Sequence, residues 1–198
     1  WTSPNSFVAS ANCALYCVAS VDFVDIDPVT RNMSVTQLAA KLEQAERQGQ
    51  LPSIVIPVHF GGLACDLVPL RALADRYDFK ILEDASHAVG ANYNGQPIGS
   101  AYADASVFSF HPVKIVTTGE GGMVTTQDAT LARRLQLLRS HGITREAGEL
   151  HHPDTGAWHY EQHSLGFNYR MTDIQAALGH SQLQRIAEPL RKSGYGEY

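Results

Sequence analysis

The sequence predicts an α/β fold in which helices cover both faces of a mostly parallel sheet. Compact apolar runs rich in β-branched residues alternate with amphipathic stretches of about a dozen residues, the rhythm of successive βαβ units. The clearest run, "SIVIPVHF" over 53–60, is apolar throughout rather than alternating, as a strand buried on both faces must be. Asp, Pro and Gly punctuate the joins.

In order, "VDFVD" over 21–25 reads as a short strand, closed by a turn at Asp27 and Pro28. Ser34 caps a helix that places Leu38, Ala39, Leu42 and Ala45 on one face and ends near Gly49. The run 53–60 is broken by Gly61 and Gly62. A helix over 66–77 carries Pro69 in its first turn, where a missing amide hydrogen costs little. Strands follow at "FKILED", "ADASVFSF" and "GGMVTT", then a helix capped by Asp128 and closed by Gly142. Residues 141–166, with His151, His152, His159 and His163 among Pro153 and Gly156, read as one long loop. The last helix, 172–186, is expected to bury Ile174, Ala177, Leu178 and Leu183 along a stripe.

With 198 residues, 44% of them hydrophobic, the chain is long enough for one substantial core. Its net charge of −5 is spread along the chain and offers no basic stripe, which argues against nucleic acid as a partner. There is no apolar run of about 20 residues and no secretory pattern, so neither membrane nor export is expected, and the cytoplasm is the expected compartment. Cys13, Cys17 and Cys65 form no disulfide framework and are expected as reduced core thiols. The irregular histidine spacing in 141–166, without nearby cysteine, argues against a metal and for a substrate-covering or interface loop. A first residue other than methionine and an abrupt end suggest a fragment.

In an open α/β sheet, ligands gather beyond the carboxyl ends of parallel strands. Asp84, Ser109, Lys114 and His59 fall there. Asp84 alone reads equally as a cap for "SHAVG", and Lys114 alone as a surface lysine. An acid and a lysine at two such ends can instead face one pocket, where a lysine can act as a covalent nucleophile. The loop "TTGEGG" fits neither a Walker loop nor a dinucleotide fingerprint and reads as a tight turn.

Three ordered segments, "EDASHAVGANYNGQPIGS", "SVFSFHPVKIVTTGEGGMVTT" and "LGFNYRMTDIQAALG", resemble the signatures of the DegT/DnrJ/EryC1/StrS aminotransferases, enzymes of the fold type I pyridoxal-phosphate class that aminate nucleotide-linked keto-sugars. The resemblance implies that residues 1–190 are the central part of the cofactor-binding large domain and 191–198 the start of a truncated C-terminal region. It implies that Lys114 holds pyridoxal 5'-phosphate as an internal aldimine and then shuttles the proton, and that Asp84 pairs with the pyridine nitrogen. Ser109 then binds the cofactor phosphate, Phe7 stacks on the ring and His87 lies near the phenolic oxygen. Asn168 reaches the phosphate in a neighbouring subunit, so a homodimer with shared active sites is implied.

The substrates implied are an amino acid donor, glutamate, and a 4-keto nucleotide-linked deoxysugar. The segments "SPNSFVASANCALY" and "YEQHSLGFNYRMTDIQAALG" are most similar to the branch that aminates C4 of a UDP-linked keto-amino sugar on the route to pseudaminic acid. Lys114 argues against the dehydratase branch, which has histidine there. Family members run to nearly twice this length, with an upstream Gly-Ser/Thr phosphate loop and a downstream small domain. A non-catalytic pyridoxal-phosphate-binding regulator and an inactive fragment stay open as alternatives.

Overall fold

The computed structural model describes residues 1–152 and 155–187; the expected truncated region at 191–198 lies outside them. The chain divides into two compact units, residues 1–127 continued from residue 174, and residues 128–173.

The first unit is built on a four-stranded sheet of order β1-β2-β5-β6, with β1 at Ile54–Val55, β2 at Lys80–Asp84, β5 at Ala105–Ser109 and β6 at Gly122–Thr125. The first three strands are parallel and β6 runs antiparallel to β5, with Ser109 opposite Gly122. This is the expected mainly parallel sheet flanked by helices. Its run 53–60 forms less ladder than expected, because Pro57 lacks the donor that a continuous strand needs; only Ile54–Val55 is a strand, with single bridges at Ile56 and Val58 beyond it. The expected strand 21–25 is likewise one bridge, Phe23 to Thr2. Between β2 and β5, Asn92–Tyr93 (β3) and Gln96–Pro97 (β4) form a hairpin. Asn94 and Gly95 turn it with positive φ, as a two-residue Asn-Gly loop requires.

The core lies between this sheet and two helices. Helix α2, Val35–Gln48, begins at Ser34, whose side chain accepts the Gln37 N–H, and ends at Gly49 in the left-handed conformation. Helix α3, Leu67–Tyr77, follows Asp66. Leu38 and Leu42 from α2, Leu70 from α3, and Phe79 and Ile81 at β2 are buried together, each contributing roughly 1.5–3 kcal/mol by leaving water. Helix α1, Ala9–Tyr16, was not expected from the sequence. It carries Cys13, which like Cys17 is exposed rather than in the core; among the three free cysteines only Cys65 is buried.

The second unit starts with α4, Ala129–Leu138, capped by the Asp128 carboxylate on the Thr130 and Leu131 N–H groups. The stretch expected as one loop contains an antiparallel ladder, Ile143–Thr144 (β7) against Glu161–Gln162 (β8). Gly142 permits it: φ is +68°, and a Cβ there would stand 1.9 Å from the Ser164 carbonyl oxygen.

Helix α5, Asp173–Leu183, reverses the expectation for it. Ile174, Ala177, Leu178 and Leu183 are exposed, Ile174 by 84%, while Gly179 is buried. The face turned to the rest of its own unit is the small and polar one, Gln175, Gly179 and Gln182, because its partner is not an apolar surface but the loop 117–120. Among the described residues no helix is long and apolar enough to cross a membrane.

Candidate active site

Parallel pairing sets the first part of the site. Because Asp84 on β2 is in register with Val107 on β5, the carboxyl ends of the two strands emerge side by side, Asp84 from one and Ser109 from the other. Alternation along β2 sends successive side chains to opposite faces. Glu83 points into the interior, 1% exposed, where Ser106 Oγ donates to its carboxylate. Asp84 points the other way, half-buried, towards α1.

Two donors hold the Asp84 carboxylate. Ser10 Oγ of α1 donates to Oδ2 at 2.6 Å, and the Ser86 N–H donates to Oδ1 at 3.1 Å. Short bonds to an ionised acceptor are the strong kind. The segment after Asp84 is a series of turns, not a capped helix. Ser10 is the site residue that sequence reasoning missed. Its only signal is a serine that the structure shows buried in a helix where the aromatic and larger aliphatic residues are exposed.

Phe7 sits one turn before Ser10, and its carbonyl accepts the Ser10 N–H at 3.3 Å. Its ring is 78% exposed, so Phe7 is not a core residue. The same serine thus links the exposed aromatic and the carboxylate.

Lys114 is not at the strand tip. Strand β5 ends at Ser109, and Lys114 is held five residues later within the loop 110–118. The Phe110 carbonyl ties the loop at its base, accepting from the Thr118 N–H at 2.9 Å and Thr117 Oγ1 at 3.0 Å. Inside it, the Lys114 N–H reaches the His111 carbonyl at 2.9 Å. From α5, the Gln182 amide clamps Thr117, donating to its carbonyl at 2.6 Å and accepting its N–H at 3.1 Å. Gln175 Nε2 donates to the Glu120 carbonyl at 2.9 Å, and Gly179 lets the helix approach Thr118 so closely that a Cβ would be 2.8 Å from Cγ2. Gln175, Gly179 and Gln182 recur at helical spacing, so one face of α5 fixes the lysine loop.

Lys114 and His87 line one small pocket, with Ser86, Val89, Val113 and Ile115. Burial pushes the His87 imidazole below its ordinary pKa, and the positive charge of Lys114 pushes it further, against the opposing pull of Asp84. His87 therefore feels the charge of both groups. Its Nδ1 is buried without a hydrogen-bond partner among the described residues. Ser109 is half-buried at the end of β5, its Oγ accepting the His111 N–H at 3.4 Å.

Two expected residues fall outside this cluster. His59 is fully buried. The N–H of His59 bonds the Asp84 carbonyl, which turns the ring inward, where Nδ1 accepts the Cys65 N–H at 3.0 Å and Nε2 stands 3.7 Å from Glu83 Oε1. Asn168 belongs to the second unit, where it is exposed and its backbone bridges to Ser140.

The structure thus gathers a carboxylate held by two donors and a lysine that shares a pocket with a histidine. The comparison with known proteins decides the family. Residues 2–193 match the model of the DegT/DnrJ/EryC1/StrS aminotransferase family. The chain belongs to this family. The chain is 41% identical over 185 residues to GDP-perosamine synthase of Caulobacter vibrioides, covering 93% of this chain and 45% of that protein. It is 38% identical over 191 residues to the UDP-4-amino-4,6-dideoxy-N-acetyl-beta-L-altrosamine transaminase of Campylobacter jejuni, covering 96% and 47%. In structure it resembles Helicobacter pylori PseC, an aminotransferase of pseudaminic acid biosynthesis, with a TM-score of 0.82 at 32% identity over 94% of this chain and 46% of that one. The chain spans about half the length of the curated relatives it matches.

The cofactor of this family is pyridoxal phosphate, and the residues present fit it. The unpartnered Nδ1 of His87 fits a hydrogen-bonding group of a ligand. Among the described residues no carboxylate lies within ion-pair distance of Lys114, which fits an amine that would hold an aldehyde. The Asp84 carboxylate fits a protonated ring nitrogen.

Proposed function

We propose that the protein containing this chain is a pyridoxal-phosphate-dependent aminotransferase that moves an amino group from an amino acid donor, glutamate, to the C4 ketone of a nucleotide-linked deoxysugar. The observation that carries this reading is the shared pocket of Lys114 and His87 beside the doubly held Asp84 carboxylate. The names of the relatives favour the sugar class. The Campylobacter enzyme's name supports a UDP-linked amino sugar and PseC's a step of pseudaminic acid biosynthesis, while GDP-perosamine synthase supports a GDP-linked sugar.

When bound, pyridoxal phosphate supplies an electrophilic carbon for an amine and a ring that withdraws electrons from the substrate carbon. Lys114 would hold it covalently, and its Nζ, when free, would carry a proton between the substrate carbon and the cofactor carbon as base and then acid. Asp84 stabilises the proton on the ring nitrogen, and Ser10 and the Ser86 N–H keep the carboxylate aimed there. His87 would offer Nδ1 to the ring's phenolic oxygen, Phe7 would stack on the ring, and Ser109 would bind phosphate. Asn168 reaches the phosphate in a second copy, so the active unit is a homodimer. The exposed Ile174, Leu178 and Leu183 of α5 are apolar surface that such a dimer would cover. On this reading residues 1–190 are the central part of the large domain.

The test is reductive trapping followed by turnover. Borohydride treatment of the cofactor-loaded protein should place a pyridoxyl group on Lys114, located by peptide mass spectrometry, and Lys114→Ala should abolish the label. Label on another lysine would end the assignment. Loaded protein should also transfer nitrogen from labelled glutamate to a UDP-linked 4-keto-6-deoxy amino sugar; labelling of Lys114 without any transfer would make the protein a cofactor-binding regulator instead.

A further inference from the structure

The second unit gathers metal-ligating side chains that amino transfer does not use. In the segment 159–163, "HYEQH", extended backbone around β8 places alternate residues, His159, Glu161 and His163, on one face. His151, ten positions before Glu161, joins them. All three imidazoles converge on the Glu161 carboxylate. His151 Nδ1 lies 2.6 Å and His163 Nε2 3.1 Å from Oε2, and His159 Nε2 lies 3.2 Å from Oε1.

The carboxylate is fixed before any ligand arrives. The His151 N–H meets both oxygens at 2.9 Å, and the His152 N–H meets Oε1 at 3.0 Å. Glu161 is held well below the ordinary carboxylate range, first by the His151 backbone N–H and then by the three imidazoles. The Trp158 ring packs edge-on against His159, at 5.8 Å between centroids. His151 and His163 stand edge to face at 5.2 Å.

One ligand atom from each of His151, Glu161 and His163 falls within 4.8 Å of the others. Tetrahedral bonds of about 2.1 Å set ligand atoms about 3.4 Å apart, which small side-chain rotations reach from here. Two imidazole nitrogens and one carboxylate oxygen form a His₂Glu set. That donor set selects zinc or another late first-row divalent ion and disfavours magnesium and calcium, which prefer all-oxygen shells. His151 is largely exposed, so a water could complete the coordination from the solvent side.

We propose that His151, Glu161 and His163 bind one zinc-class divalent cation, and that the ion ties His151 to strand β8. His159, bonded to the other carboxylate oxygen, is a positioning residue. On coordination, the protons that His151 Nδ1 and His163 Nε2 share with Glu161 move to the far ring nitrogens or to solvent.

Titration calorimetry of the tag-free chain, dialysed against chelator, should show one equivalent of zinc bound near pH 7.5. Cobalt(II) should give the visible bands of a tetrahedral nitrogen and oxygen shell. The affinity should fall as pH is lowered towards 5.5, because the imidazoles must be neutral to ligate. His151→Ala combined with His163→Ala should abolish stoichiometric binding, and His159→Ala should weaken it about 10–100-fold. His152→Ala, which keeps only the backbone contact, should bind as the parent does. Circular dichroism and a zinc-induced rise in Tm, present in the parent and absent in the double variant, guard against misfolding as the explanation. Substoichiometric uptake by the parent, or equal binding by parent and double variant, would overturn the proposal.

Discussion

Asp84 and Ser10 show how much one hydroxyl can decide. Asp84→Ala should still take up cofactor weakly but lose amino transfer by about 10²–10³-fold, the scale of removing one preorganised electrostatic contact; equal rates in variant and parent would refute its role. Ser10→Ala removes a bond to an ionised acceptor, which contributes about 1.5–3 kcal/mol where it is buried. Its kcat should fall while cofactor still labels Lys114, because the charge stays and only its aim is lost. His87 gives a third reading at this scale. Its NMR titration midpoint should lie below 6.5 and move up in Lys114→Ala, since the second cause of its depression is that positive charge. A midpoint that ignores the lysine would place the two side chains apart.

Asp84, His87 and Lys114 were named from the sequence because they sit in motifs that resemble the family's, Asp84 at the end of β2 and the other two in the loops that follow β2 and β5. Ser10 was not. Its role depends on α1 lying over the end of β2, a contact across 74 positions that no local pattern encodes.

Among elements, α5 separates pattern from environment most clearly. Its apolar residues suggested a buried stripe, yet the stripe that packs is Gln175, Gly179 and Gln182 against the lysine loop. Amphipathic periodicity identifies two faces but not which one meets the chain's own body. Gly179→Val should therefore overpack the contact with Thr118, costing about 1–3 kcal/mol. Gln182→Ala should leave the fold in place and slow reductive labelling of Lys114, because the loop loses both amide bonds; labelling at the parental rate would show that the loop holds its shape without the helix. The hairpin β3–β4 was readable from Asn94-Gly95, a strong turn signal that the larger alternation of elements overshadowed. The β7–β8 ladder was less readable, because its strands are two residues each and their pairing depends on Gly142 accepting a close approach by Ser164.

At the scale of the whole molecule, the second unit should lose stability in acid. In the second unit Glu149 is held down to about 2, first by the Arg133 guanidinium and then by Thr144 Oγ1 at 2.5 Å. A carboxylate whose folded pKa is depressed stabilises the fold fully above its unfolded pKa of about 4.3 and loses that contribution as pH falls towards its folded value. The urea midpoint of the second unit, followed by hydrogen exchange at Thr144, should stay level above about pH 5 and drop between there and about pH 2. Glu149→Gln should flatten that limb. In the first unit, Leu70→Ala should cost about 2–5 kcal/mol, since Leu70 is entirely buried in the core that carries β2 and hence Asp84.

The sequence by itself determined the fold class, the mainly parallel sheet, the helix caps at Ser34 and Asp128, and the residue types that a pyridoxal-phosphate site needs. These rest on short-range physics: apolar periodicity, turn residues, and local motifs whose spacing survives any arrangement of the rest. Only the tertiary structure decided that His59 turns into the core, that Lys114 rides a loop clamped by α5, and that three imidazoles meet around Glu161. The first two depend on segments far apart in the chain meeting at a distance of a few ångströms, and the third on how the backbone brings His151 back to β8; such meetings are set by packing rather than by neighbours in sequence.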